Sequence, residues 1–392
     1  MAAPAVLEQR LRTPLTDLFR IKHPVMLAGM NVAAGPKLAA AVTNAGGLGV
    51  IGGVNNTPKQ LQTAIDELKE GLHDPAAPFG VDLLLPKVGE GARATNYDYT
   101  KGTLDELVDI IIKSGARLFV CAVGVPPPRV VQRLHGAQIP IMNMVGAVKH
   151  VQYALDAGVD IICAQGGEGG GHTGDVATSI LIPRVVDACR GARSPLTGDP
   201  VHVVAAGGIF DSRGLAASLA MGAQVRTSGK VVRRGGETDT HPRRPFQAVW
   251  VGTRFVASEE AGAPPRHKKA VVQAGYADTH RTLIYTGRPL RIIKNKYSED
   301  WEQNRAKEVR EITASGRLPY EVDFESREQE GRPVQGKEWI EAMPLLCGAV
   351  CGAIDDILPA KAIVDEMVEG AAKILQDNAA LVCYPGGVQA RL

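Results

Sequence analysis

The chain has 392 residues, enough to bury a full core as one barrel of about 250 residues with a further segment attached. Hydrophobic residues make up 45% and charged residues 22%, a balance that excludes a disordered chain, and 44 glycines imply many tight turns and ligand loops. A formal net charge of +2 offers no field for nucleic acid or an anionic membrane, so a small molecule is the expected partner.

From Pro24 to about Ala274 the pattern alternates short apolar runs with longer runs of helical period, which predicts βα units and a parallel sheet. The expected strands are residues 24–28, 48–51, 79–84, 118–122, 139–144, 160–164, 202–206 and 248–251. Between them, helices are expected over 36–45, 57–70, 104–114, 130–135, 147–157, 180–189 and 212–221; the first has proline near its start and glycines at its end. Such a series also suits an open doubly wound sheet. Glycine-rich and polar residues cluster after strands one, six, seven and eight, and a ring of C-terminal loops brings those positions to one pocket, so the expected fold is an α/β, (β/α)8 TIM barrel.

Residues 1–275 are thus assigned to the barrel and 276–392 to a mostly helical C-terminal extension packing on it. The extension is charged from Asn295 to Lys337 and has an apolar helical pattern, read as one or two helices, from Trp339 to Leu381. The segment from Val225 to Gln247 has six Lys/Arg against two acids and no sustained period. A structureless connection of this length is unusual in a compact barrel. It reads as a surface loop, a basic docking patch or a retained intron; Val codons begin GT and Gln can be encoded CAG, the boundary letters of an intron, and joining Gln224 to Ala248 leaves an ordinary βα unit. The retained insertion is the favoured reading, and transcript sequencing tests it.

Cys121, Cys163, Cys189, Cys347, Cys351 and Cys383 are scattered and read as reduced core thiols, with no metal site expected. No signal-peptide core and no apolar run of membrane-spanning length is seen, so a soluble protein in a reducing, cytoplasmic compartment is expected. The final Ala390, Arg391 and Leu392 fit the small-basic-leucine peroxisomal address, which makes the peroxisome the other expected location.

The strongest chemical signal is GGEGGGHTGD, Gly166 to Asp175, directly after the sixth strand. Glycines let the backbone approach a planar ligand while one imidazole, His172, faces the reaction centre. AAGGIFDSRG, with Gly207 and Gly208, and VGTRF, with Gly252 and Thr253, end the seventh and eighth strands, where backbone amides form the recurrent phosphate cradle of this fold. No GxGxxG opens a βαβ unit, so a Rossmann site is not indicated. LAGMN ends the first strand and FGVD belongs to the third.

Together HPVMLAGMN, NAGGLGVIGG, PFGVDLLLP, AQGGEGGGHTGD, AAGGIFDSRGLA, VGTRFVASEE and TGRPLR resemble the nitronate monooxygenase family, formerly the 2-nitropropane dioxygenases, over about Leu15 to Trp301. The resemblance implies a TIM barrel holding FMN non-covalently and oxidising alkyl nitronates with O2 to carbonyl compounds and nitrite. It implies His172 as the base that removes the α-proton of a neutral nitroalkane. Flavin contacts are implied for Gly29, Met30 and Asn31 and for Gln165, Gly170 and Gly171, and phosphate contacts for Gly207, Gly208, Gly252 and Thr253. Asp82 stands at a flavin contact where many members have Asn, and Ala349 stands where relatives often carry Gln. A flavin-dependent enoyl-thioester reductase using NAD(P)H is the nearest alternative, and a catalytically impaired product of the retained insertion is another. A homodimer is an expected form, although the sequence does not fix the oligomeric state.

Overall fold

The computed structural model describes residues 8–222 and 247–381. The segment from 225 to 246 and the tail at 390–392, on which the insertion and peroxisomal readings rest, lie outside the described residues, as does Cys383.

Eight parallel strands form the barrel. In chain order the elements begin with α1 (Pro14–Phe19), β1 (Val25–Leu27), α2 (Pro36–Asn44), β2 (Gly49–Gly52), α3 (Pro58–Glu70), β3 (Phe79–Leu84), α4 (Leu104–Ser114), β4 (Leu118–Ala122), α5 (Pro128–Gly136) and β5 (Ile141–Val145). Next come α6 (Val151–Asp156), β6 (Ile161–Gln165), the two-residue β7 (Gly171–His172), α7 (Thr178–Ala188), β8 (His202–Ala206), α8 (Ser212–Met221) and β9 (Ala248–Val251). The sheet runs β1-β9-β8-β6-β5-β4-β3-β2, and a parallel bridge from Met26 to Leu48 closes the ring. All eight strands expected from the sequence are present, within two residues at each end.

Alternation along each strand sets the layers. Leu118 and Val120 of β4, and Ile161 and Cys163 of β6, join one apolar cluster inside the barrel, whereas Phe119, Cys121 and Ile162 join another between strands and helices. Helix α1 contributes Leu15 and Phe19 to the interior cluster. Its N-cap Thr13 holds it in place: the side chain accepts from Thr16 N–H and its hydroxyl donates to the carbonyl of Gln247, the residue before β9. Burying a side chain of this size contributes about 1.5–3 kcal/mol.

After β9 come the short α9 (Thr253–Val256), α10 (Pro265–Gln273), an antiparallel pair β10 (Thr279–Thr282) and β11 (Leu290–Ile293), then α11 (Lys296–Asn304), α12 (Ala306–Ala314), α13 (Pro319–Gln329) and α14 (Gly336–Ala342), and finally α15 (Ala360–Ala379). The charged stretch thus folds as helices, of which α11 and α12 are amphipathic, and Ile284, Tyr285, Leu290, Ile292, Trp301 and Val309 form a third apolar cluster. The apolar pattern from Trp339 to Leu381 is interrupted: Ala349–Ala353 is a tight 3-10 turn between α14 and α15. Helix α15 packs against α8 and α2, the position of the eighth barrel helix, and Gly370 permits the approach because a Cβ there would fall 2.5 Å from Ser212 Cβ.

Candidate active site

The C-terminal ends of the strands converge on one mouth, and glycines at close backbone approaches make the convergence possible. Gly207 and Gly208, with φ of +88° and +75°, turn the chain after β8; a Cβ on Gly207 would sit 2.8 Å from the carbonyl oxygen of Gly166. Glu168 lies against Gly208 and accepts from the Thr178 N–H, and the one proton of the Thr178 hydroxyl is shared between Glu168 Oε2 at 2.7 Å and Gly207 O at 2.8 Å. The loop after β6 is therefore fastened to the loop after β8. Gly348 N–H donates to Thr253 Oγ1 at 2.9 Å, and Ala349 N–H donates to Glu168 O at 2.9 Å, which fastens the loop after β9 to the same assembly.

Every site residue expected from the sequence lies on this face. Gly29 is covered by the Asp82 carboxyl, with which a Cβ would collide; Met30 Sδ would be 3.5 Å from a Cβ at Gly252; and Asn31 has φ of +28°, its amide packed on Gly52. Gln165 donates through Nε2 to His172 O at 2.8 Å. Gly170 packs on Cys347 and Gly348, and Gly171, with φ of +68°, pairs with Arg291. The Thr253 hydroxyl accepts from Gly348 N–H, so this residue keeps both its hydroxyl proton and its main-chain amide to offer. No acceptor is found among the described residues for the main-chain N–H of Gly207, Gly208 or Thr253.

His172 is held on β7 by pairing with Leu290 of β11. Its Nε2 lies 3.1 Å from Thr286 Oγ1, and that hydroxyl donates to Arg288 O at 3.3 Å. A hydroxyl that donates onward accepts from the imidazole, so Nε2 carries the proton and Nδ1 keeps its lone pair. Burial, followed by the nearby Arg288 guanidinium, pushes the His172 pKa down to about 4. The imidazole is neutral at ordinary pH.

Asp82 points into the barrel, being two residues along β3 from Gly80, which packs on interior Leu118 and Val50. It is fully buried, its Oδ1 has no hydrogen-bond partner among the described residues, and burial pushes its pKa well up, which favours the neutral acid. A neutral acid at this position resembles an amide in charge and size. The departure from Asn is a small one electrostatically.

The residues that sequence reasoning left unassigned are Glu168, Thr178, Thr286, Arg288 and Gly348. The motif TGRPLR signalled two of them, but only the pairing of β11 with β7 puts Thr286 and Arg288 beside His172. Ala349 lines a cavity of about 330 Å3 with Glu168, Arg281 and Arg291, alongside the mouth. Among the described residues no cluster of His, Cys, Asp or Glu could hold a metal ion, and no helix is long and apolar enough to cross a membrane. The five described cysteines are free and buried.

Comparison with known proteins gives the same architecture. The chain is 32% identical over 401 aligned positions, covering 95% of its length and 99% of the relative, to a Mycobacterium tuberculosis protein named "(3aS,4S,5R,7aS)-5-hydroxy-7a-methyl-1-oxo-octahydro-1H-indene-4-carboxyl-CoA dehydrogenase". It is 30% identical to a probable nitronate monooxygenase of Staphylococcus saprophyticus, covering 74% of this chain and 80% of that one. FabK from Thermotoga maritima superposes with a TM-score of 0.70 at 27% identity, over 95% of this chain and 100% of that one. The nitronate monooxygenase family profile matches residues 12–230 and 234–370, and the chain belongs to that family of oxidoreductases.

Proposed function

We propose that the mouth of the barrel binds FMN and that the protein oxidises alkyl nitronates with O2 to carbonyl compounds and nitrite, with His172 acting as base toward neutral nitroalkanes. The observation that carries this reading is the neutral imidazole of His172, its Nδ1 lone pair free, on the loop that also meets the glycine turns after β8 and β9. The donor set suits a flavin mononucleotide: the unpaired amides of Gly207, Gly208 and Thr253 suit its phosphate, and the orphaned Asp82 Oδ1 suits a polar edge of its ring. When bound, FMN supplies electron acceptance and the reaction with O2.

The chain's own groups supply geometry and proton movement. In this reading the α-C–H bond of a nitroalkane breaks, the proton passes to His172 Nδ1, and the electron pair spreads onto the nitro oxygens. Thr286 keeps the tautomer correct, and Gln165, by holding His172 O, keeps the ring over the mouth. With a pKa of about 4 the imidazole is a weak base, and the negative charge that develops on the nitro oxygens as the proton leaves offsets the Arg288 field and strengthens it during the transfer. A preformed nitronate needs no base. His172 is then dispensable for the proton step.

The CoA-ester name of the M. tuberculosis relative favours a second reading, flavin-dependent chemistry on an acyl thioester with a nicotinamide partner. An absorbance spectrum of the purified protein, followed by anaerobic mixing with propionate 3-nitronate and separately with NADPH, distinguishes the two. Flavin bleaching by the nitronate supports the proposal. Rapid bleaching by NADPH alone overturns it in favour of the thioester reading, and a colourless protein points to a barrel impaired by the insertion.

A further inference from the structure

We infer that Arg288 is the anion receptor of this active site, the group that meets the negative oxygens of a nitronate; the assignment rests on the reading of the site as one for nitronates. Three features of the site lead to it.

First, Arg288 has no counter-ion among the described residues. It lies two residues from Thr286, which bonds His172, and it is half-buried. Nη2 donates to Asn96 Oδ1 at 2.7 Å and Nη1 reaches Val123 O at 3.5 Å, both neutral acceptors, and no carboxylate pairs with it among the described residues. Arg254 has Asp356, Arg281 has Asp175, and Arg305 has Glu308 and Asp323; Arg291 also has no ion pair among the described residues, but its Nε, Nη1 and Nη2 are all taken up by Gly167 O and Thr279 Oγ1. A guanidinium carries five N–H groups, and two are used here. The remaining three are available to a planar oxyanion, which an arginine fork matches in shape.

Second, the surroundings add positive charge instead of cancelling it. Arg93 Nη1 donates to Gly287 O at 2.7 Å, on the same turn, and has no acid partner of its own among the described residues. The field of Arg288 is felt at His172, where it favours the neutral ring. The imidazole is thus kept from carrying the positive charge that an anionic substrate needs, and the guanidinium carries it. A half-buried cation without a counter-ion is costly, and a protein retains one where a ligand completes the pair.

Third, the backbone that holds Arg288 is strained. Val123, the residue after β4, has φ of +71°, a region that a β-branched residue rarely occupies. Its carbonyl is the one Arg288 reaches. Strain of this kind persists where the surrounding structure fixes a functional position.

The consequence is a division of labour. As the α-C–H bond of a nitroalkane breaks, its proton goes to His172 and the developing charge on the nitro oxygens goes to Arg288. With a preformed nitronate, Arg288 alone is engaged. Substrate choice therefore turns on negative charge at the reacting head.

The test is equilibrium binding of nitrate, an unreactive planar oxyanion, to the flavin-loaded protein, read by flavin difference absorbance and calorimetry. Arg288→Gln should weaken nitrate at least tenfold, Arg288→Lys should recover part of the loss, and the exposed Arg213→Gln should leave binding unchanged. In turnover, Arg288→Gln should raise KM for the nitronate at least tenfold while moving KM for the neutral nitroalkane much less; a merely structural role would shift both alike. Equal nitrate binding by wild type and Arg288→Gln, both with native circular dichroism, overturns the assignment, as does a wild type that binds no nitrate. If the wild type binds nitrate through Arg288 yet turns over no nitronate, the anion receptor stands and the proposed reaction falls.

Discussion

At the N-terminal end of the barrel, Leu15 and Phe19 join Met26, Leu48, Leu118 and Ile161 in one apolar cluster, all but closed to water. At the C-terminal end the same strands present Asp82 with its pKa pushed up, glycines at positive φ and, among the described residues, an orphaned carboxyl oxygen, unpaired amides and an arginine with no acid. One end has every apolar group packed, as a stable core requires. The other leaves polar groups without protein partners, which costs stability unless a ligand supplies them. The contrast assigns stability to the base and chemistry to the mouth, the usual division in this fold.

Substitutions at the two ends can break or sharpen that division. The largest effect is expected at His172: His172→Ala should lower turnover of neutral nitroalkanes by roughly 10^2 to 10^4-fold, the contribution typical of a positioned base, with a smaller loss on preformed nitronates. Equal losses on both substrates would show that His172 is not mainly a base. Its depressed pKa adds a pH signature, because the base form is lost only below about 4, so the acid limb of the free-enzyme profile should fall there and not near 6.5.

Phe19→Ala probes the opposite end. It should cost about 3–5 kcal/mol in urea denaturation through the cavity it opens, while turnover per folded molecule stays near wild type. A large drop in kcat without loss of stability would mean that the base of the barrel is coupled to the chemistry.

The smallest effect belongs to Asp82, where the two kinds of region meet. Its folded pKa is raised, so the folded state binds the proton more tightly; the stability it contributes is full below about 4, the unfolded value, and is lost as pH rises through the folded value. Asp82→Asn should remove that slope and stabilise the flavin-free protein by about 1–3 kcal/mol, more at pH 8 than at pH 5. Denaturation curves at the two pH values check this, and a destabilised variant would indicate that the carboxyl has a partner in solution.

Much of the site was legible because its parts are local. GGEGGGHTGD, AAGGIFDSRG and VGTRF are contiguous segments whose glycines are required by turns that lie within them, as the positive φ of Gly171, Gly207 and Gly208 bears out. Arg288 was not legible. It stands in an arginine-containing stretch like several others, and its significance depends on lacking a carboxylate, which sequence does not display. Thr286 was hidden for a related reason, since its hydroxyl meets an imidazole 114 residues away.

The same boundary runs through the fold. Strand and helix periods are properties of neighbouring residues, so the alternation alone determined eight strands and, with the placement of the glycine-rich loops, the choice of a barrel. Which helix completes the ring was decided only in three dimensions, where α15 reaches α8 and α2 from more than a hundred residues beyond β9 in the chain. The hairpin that pins His172 through Leu290 arose in the same way. Local periodicity reports which face of an element is apolar; it carries no information on which distant apolar face will cover it, because that depends on the shapes of surfaces that exist only once the chain has folded.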